Sequence, residues 1–250
     1  MNIFPQYKLY GQFGDRYDMH TPEHHYQHDH NFLIEEIKKI QPNARILDIG
    51  CGSGVFLEKS LQAGFDPVGI DSAFAMFELA RKKVSEERVH LMAMQDLEFK
   101  KEFHVIVSLS WSLNYAANVT ELKDVLSRIK QALLPNGRVF FQIAHAPNAP
   151  KEFGDFAVDQ ESGSGESQNI TFKYRFSASD SETLLAQYQF HCHSTGEFFE
   201  EKHILNVANA ETVVQIMSEL GFKNIQLLEN YKGLPFNNTF SPFLIADLPY

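Results

Sequence analysis

The feature that most restricts the fold of this 250-residue chain is an alternation of short apolar runs with longer amphipathic segments between Arg45 and Ala144. The apolar runs read RILDIG, PVGID, VHLMAM, HVIVSLS and RVFFQIA. In the segments between them, apolar residues recur at spacings of three and four, which predicts amphipathic helices. Continuous apolar strands that alternate with helices are typical of a parallel sheet covered on both faces, so we predict an α/β fold.

Around this region the pattern changes. LLPNG at 133–137 predicts a helix stop and a tight turn ahead of a strand that begins at Arg138. Further on, PNAPKEFGDF and ESGSGES have loop composition, whereas ITFKYRF, TLLAQYQFHCH and EFFEEKHIL alternate as antiparallel strands do. Asn209 is placed to cap a helix that Gly221 closes, and NIQLLEN and FLIADL read as two last strands.

These changes divide the chain into four parts. We expect an N-terminal helical cap at 1–40, a cofactor-binding core at 41–145, an antiparallel β insertion at 146–205, and the last helix and strands of the core at 206–250.

Glycine occupies every second position directly after the first predicted strand, in ILDIGCGSGVFL. In a parallel sheet, ligands bind at the carboxyl ends of the strands, and glycines there let the backbone approach a ligand closely. The dinucleotide fingerprint G-x-G-x-x-G would need a third glycine where Val55 stands. A nicotinamide-dependent oxidoreductase is therefore disfavoured, although it stays an alternative beside a non-catalytic cofactor-binding protein.

The run D-x-G-x-G-x-G from Asp48 to Gly54 resembles motif I of the class I S-adenosylmethionine-dependent methyltransferases. Further resemblances are PVGID, which ends in an acidic residue, MQDLE at 94–98, and LLPNGRVF, which is similar to L-x-P-G-G-x-L. The resemblance implies a Rossmann-like, seven-stranded, mostly parallel sheet and S-adenosyl-L-methionine as cofactor. It implies that Asp71 binds the ribose hydroxyls and that Asp96 receives the adenine amino group. The full set of cofactor-binding residues that we expect is Asp48, Gly50, Cys51, Gly52, Gly54, Asp71, Ser72, Gln95, Asp96, Leu97 and Ser110.

For the acceptor, S-x-x-W-S-L-N-Y after the fourth strand and the later antiparallel insertion look like the amino-sugar and glycine/sarcosine N-methyltransferase group. This resemblance implies a small-molecule acceptor, with nitrogen preferred over oxygen, at Trp111, Asn114 and Tyr115. It also implies that the β insertion at 146–205 walls the acceptor pocket or forms the interface of a homodimer. His145 is a candidate general base, because an unperturbed histidine titrates near pH 6.5; a hydrogen-bonded loop histidine is the equal alternative. Tyr17, in a Tyr-Asp pair, is a second catalytic candidate, or it simply packs.

The segment HTPEHHYQHDH concentrates five histidines, and Thr21–Pro22 reads as a helix cap and first helical position. His24 and His28 would then share one helix face, and we expect them to contact the acceptor or to be solvated. His24 and His28 could ligate zinc, with Asp29 or His191–Cys192–His193 completing the site, and this stays a minority alternative. The cluster lacks the ligand spacing of a known closed zinc site, so we predict no metal.

Charge and composition limit the partners and the compartment. The formal net charge of −10 opposes a phosphate backbone and argues against nucleic acid as a partner. Two cysteines cannot build a disulfide framework, no apolar run is long enough for a membrane span, and the first residues do not resemble a secretory signal. We therefore expect a cytoplasmic protein that does not contact membranes.

Overall fold

The computed structural model describes residues 7–12, 14–20, 26–160 and 169–249. Its main sheet has seven strands in the order β10-β11-β5-β4-β1-β2-β3. The strands β1 to β5 are parallel, whereas β11 pairs antiparallel with β5 and β10 pairs antiparallel with β11. The strands are Arg45–Ile49 (β1), Asp66–Asp71 (β2), Val89–Leu91 (β3), Phe103–Ser108 (β4), Leu133–Gln142 (β5), Lys223–Leu228 (β10) and Phe243–Asp247 (β11). The predicted fold class is confirmed.

Helices cover both faces of this sheet because successive strand residues point to opposite faces. On one face, Leu47 and Ile106 pack with helices α5 (Val119–Ala132) and α6 (Ala210–Glu219). On the other, Ile46 and Val105 pack with α2 (Gln27–Ile40) and α3 (Val55–Gln62). The remaining α-helices are α1 (Tyr17–His20) and α4 (Phe74–Val84).

A second, antiparallel sheet follows the fifth strand, in the order β6-β7-β8-β9. Its strands are Ala157–Gln160 (β6), Ile170–Ala178 (β7), Leu184–Cys192 (β8) and Glu197–Leu205 (β9). The three longer strands are the predicted ones, and β6 was not predicted. The predicted cap is also present, because the Asn209 side chain accepts a hydrogen bond from the Glu211 amide at the start of α6.

One boundary differs from the expectation. The fifth strand begins at Leu133, directly after α5, and not at Arg138. The expected turn is present inside the strand as an irregularity: Asn136 has φ 63°, and the pairing register with β4 shifts between Phe103 and Val105. Pairing of Leu133 with Phe103 extends the ladder across the turn signal, so tertiary pairing overrides the local sequence.

Candidate active site

A cavity of about 900 Å³ opens at the carboxyl ends of β1, β2 and β4, where the strand order reverses. Such a switch point is where open parallel sheets bind ligands. Many of the predicted site residues line it: Tyr17, Asp48, Gly50, Cys51, Gly52, Asp71, Ser72, Gln95, Ser110 and Tyr115. The residues predicted at the first two strand ends therefore line one cavity, and their roles in binding stay predictions.

The glycine-rich turn shapes one wall of the cavity. Gly52 has φ 54°, and a Cβ built on it would meet no atom within 4 Å, so a side chain there would project into free space. Gly54 does not line the cavity: its Cβ would lie 2.8 Å from the Cα of Ala80, so this glycine permits close packing of α3 on α4. One glycine thus makes room for a ligand and the other for a helix.

Asp71 closes the turn from the neighbouring strand. Its two carboxylate oxygens accept hydrogen bonds from the Gly52 amide at 2.9 Å and the Ala73 amide at 2.8 Å. Burial raises the pKa of Asp71 to about 6, although these backbone bonds oppose the rise. Asp48 is buried beside it, and burial together with the Asp71 charge raises the pKa of Asp48 to about 8. At neutral pH the protein alone therefore holds Asp48 mostly uncharged, poised to ionise when a cation approaches.

At the third strand end the assignment needs correction. The side chain of Asp96 is exposed and does not line the cavity, and Leu97 is buried in the core. Gln95 and Glu121 occupy this part of the wall instead, joined by a hydrogen bond from Gln95 Nε2 to Glu121 Oε1. The 3-10 turn at Met94–Asp96 directs Gln95 inward and its neighbour outward, and sequence order alone could not choose between the two.

Two predicted acceptor residues also lie off the cavity. Trp111 packs edge-on against Phe176, and its Nε1 donates to Ser241 Oγ. Asn114 is buried, and its side chain bonds to the carbonyls of Asn206 and Val207, just after β9, and to the amide of Ala144, just after β5. It therefore joins segments of the fold and does not face the cavity. Tyr115 on the same 3-10 turn does line the cavity.

Two of the histidines predicted at the site, His145 and His28, lie away from the cavity. His145 is buried outside the cavity wall, and its Nδ1 accepts the Ala210 amide at 3.0 Å. It therefore anchors the start of α6, and its ring cannot reach an acceptor as a base. His28 stacks on Tyr231 away from the cavity. His24 lies outside the described residues, as do Thr21 and Pro22. Within the described ranges, no group of three histidine, cysteine or acidic side chains could hold a metal ion.

An aromatic wall lines the cavity beside the glycine-rich turn, and most of its residues were not predicted from the sequence. Its members are Tyr7, Tyr10, Tyr17, Tyr26, His30 and Tyr115. The N-terminal segment supplies the first three, and Glu201 on β9 holds this segment by accepting the amides of Lys8 and Leu9, each at 2.8 Å. The available signal was the run of tyrosines in YKLYGQFGDRYD, of which only Tyr17 was singled out.

With this geometry established, three comparisons place the chain. Residues 20–227 match the methyltransferase domain family. YqeM of Bacillus subtilis (strain 168) is 25% identical over 187 residues, which cover 72% of this chain and 73% of that protein. A dTDP-4-amino-2,3,4,6-tetradeoxy-D-glucose N,N-dimethyltransferase of Saccharopolyspora spinosa is 27% identical over 106 residues, 42% of this chain and 43% of that enzyme. The fold is similar to that of SAM-bound CalS10, an amino pentose methyltransferase from Micromonospora echinaspora, with a TM-score of 0.70 and 19% sequence identity. The match covers 91% of this chain and 96% of the CalS10 chain.

The chain therefore belongs to the methyltransferase domain family, and it is an S-adenosylmethionine-dependent methyltransferase of class I. The residues present fit this cofactor, because the free space beside Gly52 leaves room for a ligand and Asp71 presents a buried carboxylate to hydroxyl groups. When bound, S-adenosylmethionine supplies a methyl group on an electron-poor sulfonium. None of the described helices is long and apolar enough to cross a membrane.

Proposed function

We propose that this protein methylates an amine nitrogen of a small molecule that carries no phosphate. The observation that supports this substrate class is the chemistry of the cavity wall. Tyrosine hydroxyls and rings face the space opposite the glycine-rich turn, together with His30 and Asn206. Such a wall can stack on an apolar ring face and hydrogen-bond to hydroxyl or amino groups at its edge.

Charge argues in the same direction. Among the cavity-lining residues that the structure describes there is no lysine or arginine, while Asp48, Asp71 and Glu121 are present. The residues outside the described ranges contain no lysine or arginine either. Lys83 donates to the cavity-lining Ser53, but Asp18 pairs with it at 2.5 Å. A nucleotide-linked substrate would bring two phosphate charges into a wall that offers the Asp71 carboxylate and, among its described residues, no lysine or arginine, whereas an amine is attracted to it.

Two of the proteins named above act on amino sugars, the Saccharopolyspora spinosa enzyme on a dTDP-linked one and CalS10 on an amino pentose. The aromatic wall suits a sugar ring as acceptor. We therefore favour a free amino sugar or a glycoside of one. Nitrogen is preferred over oxygen because an amine needs only to lose a proton before it attacks, whereas a hydroxyl needs a stronger base. The protein's part is to orient the acceptor and to exclude water. Two buried, unpaired cysteines suit the reducing cytoplasm that we propose as its location.

The test combines calorimetry with a methyl-transfer assay. We expect S-adenosylmethionine to bind, and its labelled methyl group to appear on free 2-, 3- or 4-amino sugars. The same sugars linked to dTDP should have kcat/KM values lower by about tenfold or more, equivalent to about 1.4 kcal/mol. Hydroxy analogues without the amine serve as the control. Preference for the dTDP-linked sugars would contradict the substrate class, and absence of cofactor binding would contradict the activity.

A further inference from the structure

A line of hydrogen bonds leads from the cavity wall into the second sheet. The hydroxyl oxygens of Tyr10 and Tyr115, both in the wall, lie 3.2 Å apart. Tyr115 Oη lies 2.6 Å from Nδ1 of His203, and His203 Nε2 lies 3.0 Å from Glu201 Oε1. His203 and Glu201 are two residues apart on β9, so both side chains point to the same face of the strand.

The far end of this line is a carboxylate held in its charged form. The Glu201 side chain is 12% exposed, and burial by itself opposes its ionisation. Hydrogen bonds from His203 and from the amides of Lys8 and Leu9 outweigh burial and lower the pKa of Glu201 below its usual value. An ionised Glu201 can only accept, so His203 Nε2 carries the hydrogen and Nδ1 is left with a lone pair.

The His203 imidazole is neutral, so its Nδ1 can accept a proton. His203 is 0% exposed, and burial lowers its pKa although Glu201 opposes the shift, so the imidazole is neutral at pH 7. The groups that face it from the packed elements are the rings of Tyr7, Tyr10, Tyr115 and Tyr188, each of which keeps its proton because burial raises its pKa. Glu201 is the charged group among these described neighbours.

The ionised Glu201 fixes which atom donates and which accepts in each of these hydrogen bonds. Since Nδ1 of His203 has a lone pair, the Tyr115 hydroxyl donates to it. One lone pair of the Tyr115 oxygen then accepts from the Tyr10 hydroxyl, and the other is left to accept from the cavity side. His145 provides the contrast: it is 5% exposed, but its Nδ1 accepts a backbone amide that cannot give up its proton. Both histidines are buried, but only the Nδ1 of His203 is bonded to a hydroxyl that can give up its proton.

We propose that Tyr115, His203 and Glu201 form a relay that removes the proton from the acceptor nitrogen. This inference rests on the proposed amine methylation. The acceptor enters as the ammonium form. One of its N–H bonds breaks and the electron pair stays on nitrogen, which leaves the neutral amine as nucleophile, while the proton moves to Tyr115 Oη. Tyr115 passes its own proton to His203 Nδ1, so the phenol is never left ionised. The resulting imidazolium is paired with the Glu201 carboxylate. Tyr115 is the catalytic residue, and His203 and Glu201 act through it.

The kinetic test uses matched asparagine variants of two buried histidines. Asn Oδ1 can replace Nδ1 as an acceptor, so His203→Asn keeps the bond from Tyr115 but removes the base, and His145→Asn is the control. With the amino sugar that reacts fastest, we expect kcat at pH 7.5 to fall about 100-fold in His203→Asn and Tyr115→Phe. His145→Asn should stay within about twofold of the wild type, and the S-adenosylmethionine dissociation constant should be unchanged in all three.

The pH profile separates a relay from a purely structural network. In the wild type, kcat should decline as pH falls through the lowered pKa of His203, because the imidazolium cannot accept a second proton. His203→Asn should lose this decline. If His203→Asn has the same kcat and the same pH profile as His145→Asn, the relay is wrong even though the methyltransferase activity stands.

A second measurement needs no acceptor. Nitrogen-15 NMR of histidine-labelled wild-type protein at pH 7 should show His203 as the neutral tautomer with hydrogen on Nε2 and none on Nδ1. Hydrogen on Nδ1, or an imidazolium at that pH, would overturn the relay. Failure of the wild type to bind S-adenosylmethionine would instead count against the proposed function and leave the NMR result to decide the relay.

Discussion

At the scale of single residues, the site depends on where a side chain is missing as much as on where one is present. Asp71 and Asp48 supply buried carboxyls, and Gly52 supplies space beside them. The amide of Gly52 is also bonded to Asp71, so the turn and the acidic strand end are fixed relative to each other. The shape of this part of the cavity is thus set by three residues from two adjacent parallel strands and the turn after the first of them.

A matched pair of glycine variants tests this view. Gly52 and Gly64 both have positive φ and would both have an added Cβ in open space, but only Gly52 lines the cavity. We expect Gly52→Ala and Gly64→Ala each to lower the free energy of unfolding by about 1–2 kcal/mol, because alanine is strained in the left-handed region. Only Gly52→Ala should also weaken S-adenosylmethionine binding, by about tenfold, in calorimetric titration. Equal affinities in the two variants would show that the cofactor does not approach this turn.

At the scale of secondary-structure elements, the cavity depends on contacts between segments far apart in sequence. Asn114, on the 3-10 turn after β4, is the clearest link. Its Nδ2 donates to the carbonyls of Asn206 and Val207 at 3.2 Å, and its Oδ1 accepts the Ala144 amide at 2.9 Å. It thereby ties the exit of the second sheet to the end of β5 and positions the turn that carries Tyr115.

Replacement of this link should cost more than the loss of an ordinary cap. Asn114→Ala leaves buried backbone groups unpaired, and we expect a loss of about 3 kcal/mol and a fall in Tm of about 6–12 °C. Asn118→Ala, which removes the exposed cap of α5 at the Glu121 amide, should cost about 1 kcal/mol. Thermal unfolding followed by circular dichroism measures both. Similar Tm values for the two variants would argue that Asn114 does not hold the elements together.

At the scale of the whole molecule, stability resides in a three-layer core, with the second sheet placed over one end of it. Phe140, 0% exposed, fills the face of the main sheet covered by α2 and α3. Phe198 on β9 is 59% exposed on the second sheet. These two phenylalanines thus differ widely in burial, and we expect them to differ in their contribution to the free energy of unfolding.

Chemical denaturation of two alanine variants tests this distribution. Phe140→Ala should lose about 3–5 kcal/mol, since it leaves a cavity between helices and sheet. Phe198→Ala should change the free energy of unfolding by about 0.5 kcal/mol or less. A small effect at Phe140 would mean that the core around it collapses to fill the space.

The sequence by itself determined the parallel sheet, the antiparallel insertion, and the position of Asp48, the glycine-rich turn and Asp71 at the first two strand ends. These features follow from hydrophobic period and from glycine spacing, which are local properties of the chain. Tertiary structure decided which neighbours face the cavity: Gln95 and not Asp96, Tyr115 and not Trp111. It also brings His203 and Glu201 to Tyr115, because residues on a distant strand reach Tyr115 only after the second sheet folds over the strand ends. Side-chain direction in short turns and contacts across long sequence separations leave no periodic signal in the sequence, and they fix the acceptor side of the site.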